Sequence, residues 1–133
     1  PDALENILMA VRPGVKGRII AVFGCGGDRD RTKRPKMGAV VERLADVAVV
    51  TSDNPRTEDP DAIIAEIVAG MKKKTRPIFI ENRREAIAKA LSIAREDDLV
   101  ILCGKGHETY QEINGVKYSF DEREVVRELL KED

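Results

Sequence analysis

Residues 19–27 read Ile-Ile-Ala-Val-Phe-Gly-Cys-Gly-Gly: five consecutive apolar side chains that run straight into a glycine-rich turn. Nothing alternates in the apolar part. A strand with one wet face would show a polar residue at every second position, so an unbroken run is the mark of a strand covered on both faces of a parallel sheet. Three more short runs repeat the pattern, at Val47 to Val50, Ile78 to Ile80 and Leu99 to Leu102. Segments with helical spacing separate them. Met37, Val40, Val41 and Leu44 make one stripe; Ile63, Ile64, Ile67, Val68 and Met71 the next; Ile87, Ala90, Leu91 and Ala94 a third.

Capping residues agree with these stripes. Asp59-Pro60 sets an acceptor before a proline suited to the first helical position, and Asn82 with Glu85 three residues on has the form of a capping box. Ala3 to Val11 reads as a leading helix closed by Pro13-Gly14. Beyond Leu102 the pattern changes: Tyr110 to Asn114 and Val116 to Phe120 flank Asn114-Gly115, a hairpin signal. A last helix from Asp121 is expected to bury Val125, Val126, Leu129 and Leu130. The expected fold class is α/β, a doubly wound, mostly parallel sheet with a C-terminal β-hairpin and a terminal helix. In such sheets every loop that follows a strand emerges on one edge, where ligands bind.

The chain has 133 residues, 42% hydrophobic and 35% charged, which is the size and composition of one core-forming domain spanning 1–133. Its net charge of −1 lacks the surplus of a nucleic-acid binder, and its apolar runs are too short to span a membrane. Two cysteines, Cys25 and Cys103, and one histidine make neither a disulfide framework nor a metal-ligand set, so no metal site and a reducing, cytoplasmic setting are expected. Charge is uneven, however. Asp28 to Lys36 carries five basic and two acidic residues, +3, which leaves −4 for the remainder and predicts a local anion-attracting patch.

Three of the four edge loops hold unusual sequence. Gly24-Cys25-Gly26-Gly27-Asp28-Arg29 follows a strand but lacks the third glycine of a dinucleotide fingerprint, Arg29 standing in its place. The glycines have a plain reading, that they let the chain turn; Arg29, next to that turn, is the best candidate for an anion contact. In Asp53-Asn54-Pro55-Arg56 an Asx-turn competes with a clamp for an amino acid, Asp53 facing an ammonium and Arg56 gripping a carboxylate through both donors. Gly104-Lys105-Gly106-His107-Glu108 is no phosphate-binding P-loop, which needs four residues before Gly-Lys and then Ser or Thr. Its glycines allow close backbone approach to a ligand, Glu108 can accept from a cation, and His107 reads as structural. No residue stands out as catalytic, and the cysteines read as packed small hydrophobes.

Taken together and in this order, GCGGDRDRTKRP at 24–35, DNPRTEDP at 53–60 and GKGHETYQ at 104–111 resemble the C-terminal domain of the Mur ligases, in the branch that adds the third residue of the peptidoglycan stem peptide. The resemblance runs essentially end to end. It implies a Rossmann-like fold and a site for meso-diaminopimelate in which Asp53, Asn54, Pro55 and Arg56 form the recognition motif. By the same resemblance Arg29 binds a substrate carboxylate, and Gly104 and Glu108 help hold an amino group. It further implies, for the whole enzyme, ATP and magnesium bound mainly by a central domain and a UDP-N-acetylmuramoyl dipeptide as substrate; the N-terminal and central domains are expected to be absent from this chain, so that the 133 residues alone are expected to be inactive. Arg31, Lys33 and Arg34 are candidate contacts to phosphate. Two alternatives stay open: the same domain of a lysine-adding ligase, and a free-standing small-molecule sensor of the same fold.

Overall fold

The computed structural model describes residues 2–27, 30–71, 77–103, 110–113 and 116–131. Four strands, β1 (Ile19–Phe23), β2 (Val47–Val50), β3 (Ile78–Phe79) and β4 (Leu99–Leu102), form one parallel sheet in the order β3-β2-β1-β4. The strands fall where the apolar runs predict. β3 is two residues long, with Ile80 extending the ladder by donating its N–H to the Val50 carbonyl at 3.0 Å.

β1 is buried at all five positions, and its side chains serve two cores. Ile19, Ala21 and Phe23 point to one face, against α1 (Asp2–Val11), α2 (Lys33–Leu44) and α3 (Pro60–Val68). Ile20 and Val22 point to the other, against α4 (Arg83–Ile93) and α5 (Glu122–Lys131). Strand periodicity of two, with helices on both sides, is why the run is apolar without interruption. α2 and α3 carry the chain outward from β1 to β3 along one face; α4 then returns it across the other face to set β4 on the far side of β1. The strand order therefore reverses between β1 and β4, and the crevice outside their carboxyl ends is where such sheets bind ligands.

Both N-cap side chains accept from the first turn of their helices. Asp59 accepts from the Asp61 N–H at 3.0 Å and Asn82 from the Glu85 N–H at 3.0 Å. β5 (Tyr110–Ile113) and β6 (Val116–Ser119) pair antiparallel with Ile113 opposite Val116; the turn residues Asn114 and Gly115 lie outside the described residues. One expectation fails. α5 buries Val125 and packs Val126 and Leu129, but Leu130 is 57% exposed, because the inward stripe of so short a helix is spent on the three other positions.

Candidate functional site

The loops that follow β1 and β2 are zipped together by their backbones. The Gly27 N–H donates to the Asn54 carbonyl at 2.6 Å, and a Cβ on Gly27 would collide with the Pro55 carbonyl. A Cβ on Gly24 would likewise run into the Thr51 carbonyl oxygen. The glycine density therefore has a specific cause: it lets two loop backbones lie in contact at the carboxyl edge, which no side chain larger than hydrogen permits.

This contact shapes the Asp53-Asn54-Pro55-Arg56 segment. Thr51 to Pro55 are buried, with Asp53 and Asn54 among the polar residues most removed from solvent. Thr51 and Ser52 donate their hydroxyls to the Glu81 carbonyl at 3.2 and 2.8 Å, which ties this loop to the one after β3. Arg56, half-buried, has φ of 54°, a left-handed backbone that costs a non-glycine residue free energy of order 1–3 kcal/mol. Its main chain bridges Ile113 of β5, and its Nη1 donates to the Gly27 carbonyl at 3.0 Å and to its own loop at Asn54 at 3.4 Å. Both ends of the residue are thereby fixed, and the guanidinium is held at the junction of the two loops.

The basic stretch is less of a patch than its charge count suggests. Arg34 is 1% exposed, and its Nη2 donates to Glu58 Oε2 at 2.7 Å and to the Gly26 carbonyl at 3.1 Å, with Nη1 on Glu58 and Glu66. A residue expected as a phosphate contact is thus a buried brace for the β1 loop. Arg31, exposed, forks onto Glu66 at 2.9 and 3.0 Å, and that partnership holds the Glu66 carboxyl below its ordinary pKa. Acids near and on α3 therefore neutralise two of the five cations, while Lys33 and Lys36 stay exposed. Arg29, Gly104, His107 and Glu108 lie outside the described residues.

Arg83 is a residue that the sequence pattern does not single out. It is the first residue of α4, 1% exposed, and its three nitrogens reach three elements: Nε donates to Glu122 of α5 at 2.8 Å, Nη1 to the Ser52 carbonyl at 3.1 Å, and Nη2 to the Cys103 carbonyl at 2.9 Å. One signal does exist. Cations are disfavoured at a helix N-terminus, so the pair Arg83-Arg84 in that position marks a side chain with another use. Gln111 of β5 completes the frame, donating to Ser52 Oγ at 2.8 Å.

Both thiols are unreactive by environment. Burial raises Cys25 and Cys103 to about 11, so each is protonated at neutral pH, and Cys25 Sγ rests 3.2 Å from Met37 Sδ. Among the described residues, no group of three or more His, Cys, Asp or Glu side chains is disposed to hold a metal ion, and no helix is long and apolar enough to cross a membrane.

Comparison with known proteins gives a consistent set of likenesses. A family model described as "Mur ligase, glutamate ligase domain" matches residues 1–106. Over 132 residues the chain is 55% identical to the UDP-N-acetylmuramoyl-L-alanyl-D-glutamate--2,6-diaminopimelate ligase of Clostridium botulinum and 57% identical to the ligase of the same name from a Nostoc species. Both alignments take in 99% of this chain and 27% of the relative. A solved structure of a ligase so named superposes with a TM-score of 0.94 at 46% identity, again over 99% of this chain and 27% of that one. The chain therefore spans about a quarter of the length of the curated relatives it matches.

Proposed function

Because the chain belongs to the Mur ligase family, through its glutamate ligase domain, we propose that it is the amino-acid-binding domain of an ATP-dependent ligase that adds meso-diaminopimelate to UDP-N-acetylmuramoyl-L-alanyl-D-glutamate. In the reaction of the whole ligase, ATP phosphorylates the D-glutamyl side-chain carboxylate and ADP leaves. A diaminopimelate amine then gives up its proton and attacks the acyl carbon, and inorganic phosphate departs.

This chain's part is to bind and orient the amine. Presenting a nucleophile to an electrophile in a fixed geometry is worth up to about 7–11 kcal/mol of the barrier. The sequence has no Gly-x4-Gly-Lys-Ser/Thr loop. On this reading ATP and magnesium are bound mainly by the central domain of the whole ligase, and the 133 residues alone are expected to make no product.

The observation that carries the reading is Arg56, held in left-handed backbone at the carboxyl edge with its guanidinium steered by the Gly27 carbonyl. Strain of this kind persists where surrounding structure over-determines it, and such positions cluster at ligand clamps. Diaminopimelate differs from lysine by one distal carboxylate, the group a planar guanidinium fork matches. Lysine lacks the carboxylate that this fork matches, and a polar site rejects an analogue that lacks its partner group. Asp53, Asn54 and Pro55 complete the motif, with Arg29 on a carboxylate and Gly104 and Glu108 on an amino group. Lys33 and Arg31 remain candidate contacts to phosphate.

The test uses a full-length ligase in which this chain replaces the matching segment of the Clostridium botulinum relative. Arg56→Ala is expected to lower kcat/KM for meso-diaminopimelate by about 2–5 kcal/mol of transition-state binding, about 30- to 5,000-fold, while sparing any trace activity on L-lysine. Equal losses on the two amino acids would remove Arg56 from substrate recognition.

A further inference from the structure

We infer that Arg83 is a positioning residue for the amino-acid site, joining the backbone carbonyls of Ser52 and Cys103 just beyond the ends of β2 and β4. The inference rests on the reading above, that these two loops hold the amino-acid substrate.

Ser52 immediately precedes Asp53-Asn54-Pro55-Arg56, and Cys103 immediately precedes Gly104. One guanidinium binds both carbonyls, at 3.1 and 2.9 Å, while its Nε is anchored by Glu122 at 2.8 Å. A guanidinium is planar and rigid, so three acceptors on three elements are fixed relative to one another by one side chain. Ser52 is braced a second time: its hydroxyl donates to the Glu81 carbonyl and accepts from Gln111 of the hairpin.

Stability alone is a weak reason for this arrangement. Burying an ion pair such as Arg83 with Glu122 gains little over apolar packing of the same volume, and the N-terminus of α4 repels a cation. The fork supplies what apolar packing cannot, a fixed distance between two backbone oxygens at the mouth of the site. Arg34 braces the β1 loop in a comparable way, but its guanidinium is turned to Glu58, Glu66 and the Gly26 carbonyl. The β-ladder already fixes the ends of β2 and β4 on β1, through Thr51 N–H to Phe23 and Cys103 N–H to Val22, and Arg83 adds the side chain that joins the Ser52 and Cys103 carbonyls just beyond it.

In the same full-length chimera, initial rates are measured against meso-diaminopimelate, ATP and the UDP-linked dipeptide in turn, for Arg83→Ala, Arg83→Lys and Glu122→Gln. Arg83→Ala is expected to raise KM for diaminopimelate about 10- to 100-fold, the cost of a small misplacement transmitted from outside the reacting groups, with KM for ATP and for the dipeptide unchanged. Arg83→Lys, a single point charge able to serve one carbonyl at a time, is expected to fall between. Glu122→Gln keeps an acceptor for Nε and leaves both carbonyl bonds, so it should lower the melting temperature without moving KM for diaminopimelate. A merely structural role predicts the reverse split, with lower Tm and less folded enzyme for Arg83→Ala and Arg83→Lys but wild-type KM for diaminopimelate in what remains; that result overturns the inference. Should Arg83→Ala fail to fold, the KM of Arg83→Lys decides. Failure of the underlying reading shows separately, as a wild-type chimera that makes no diaminopimelate-containing product.

Discussion

Gly27 illustrates how much of the site is backbone. Its N–H donates to Asn54, its carbonyl accepts from Arg56, and its missing Cβ leaves room for Pro55. Gly27→Ala is expected to destabilise the fold by about 1–3 kcal/mol in urea unfolding, as overpacking against unyielding backbone does. Unchanged stability would mean that the two loops part easily. At this scale the sequence is only partly legible. Turn glycines and the Asp-Asn-Pro-Arg tetrapeptide can be found by inspection, because their chemistry is local. The roles of Arg34 and Arg83 cannot, even though the Arg83-Arg84 pair at a helix N-terminus draws notice, because what defines them is a partner 24 or 39 residues away, Glu58 or Glu122, and no periodicity encodes such a pairing. A cation in a basic run reads as surface or ligand contact until the fold supplies the carboxylate.

At the scale of elements, burial on both faces leaves its signature in the strands, and the first-turn chemistry of α3 and α4 is readable from Asp59-Pro60 and Asn82-Glu85. Leu130 escapes such reading, because amphipathic spacing alone does not say how wide a contact stripe the sheet can cover. The tie between β1 and β4 is also hidden. Asp98, the residue before β4, accepts from the backbone N–H groups of Arg18 and Arg95 and from the Arg18 guanidinium. These hydrogen bonds, the Arg18 N–H foremost, lower its pKa from 3.8 to about 2. A carboxylate whose folded pKa is depressed contributes stability that is complete above its unfolded pKa and is lost as pH falls toward the folded one. The Asp98 contribution should therefore be present at pH 5 and above and disappear between about pH 4 and pH 2. Asp98→Asn is expected to unfold at lower urea near neutrality and to converge with the parent near pH 2. Parallel pH profiles for the two would show that Asp98 does not hold the strands.

For the whole molecule, a near-zero net charge conceals an internal balance. The +3 stretch after β1 is partly discharged into Glu58 and Glu66 rather than offered whole to an anion, and what stays at the carboxyl edge of the sheet is a framework of loops locked by glycine contacts and two buried arginines. The family signature and the fold can be read from three motifs in order; their mutual geometry cannot, since it depends on a strand order that reverses between β1 and β4. Because the chain spans 27% of the relatives it matches, the proposed activity is best measured within a complete ligase. The most direct test of the central claim compares kcat/KM for meso-diaminopimelate and L-lysine in the chimeric ligase with wild-type sequence throughout this segment. A site built around a distal carboxylate predicts a preference for diaminopimelate of about 10⁴-fold or more. Equal efficiency with the two amino acids would contradict it.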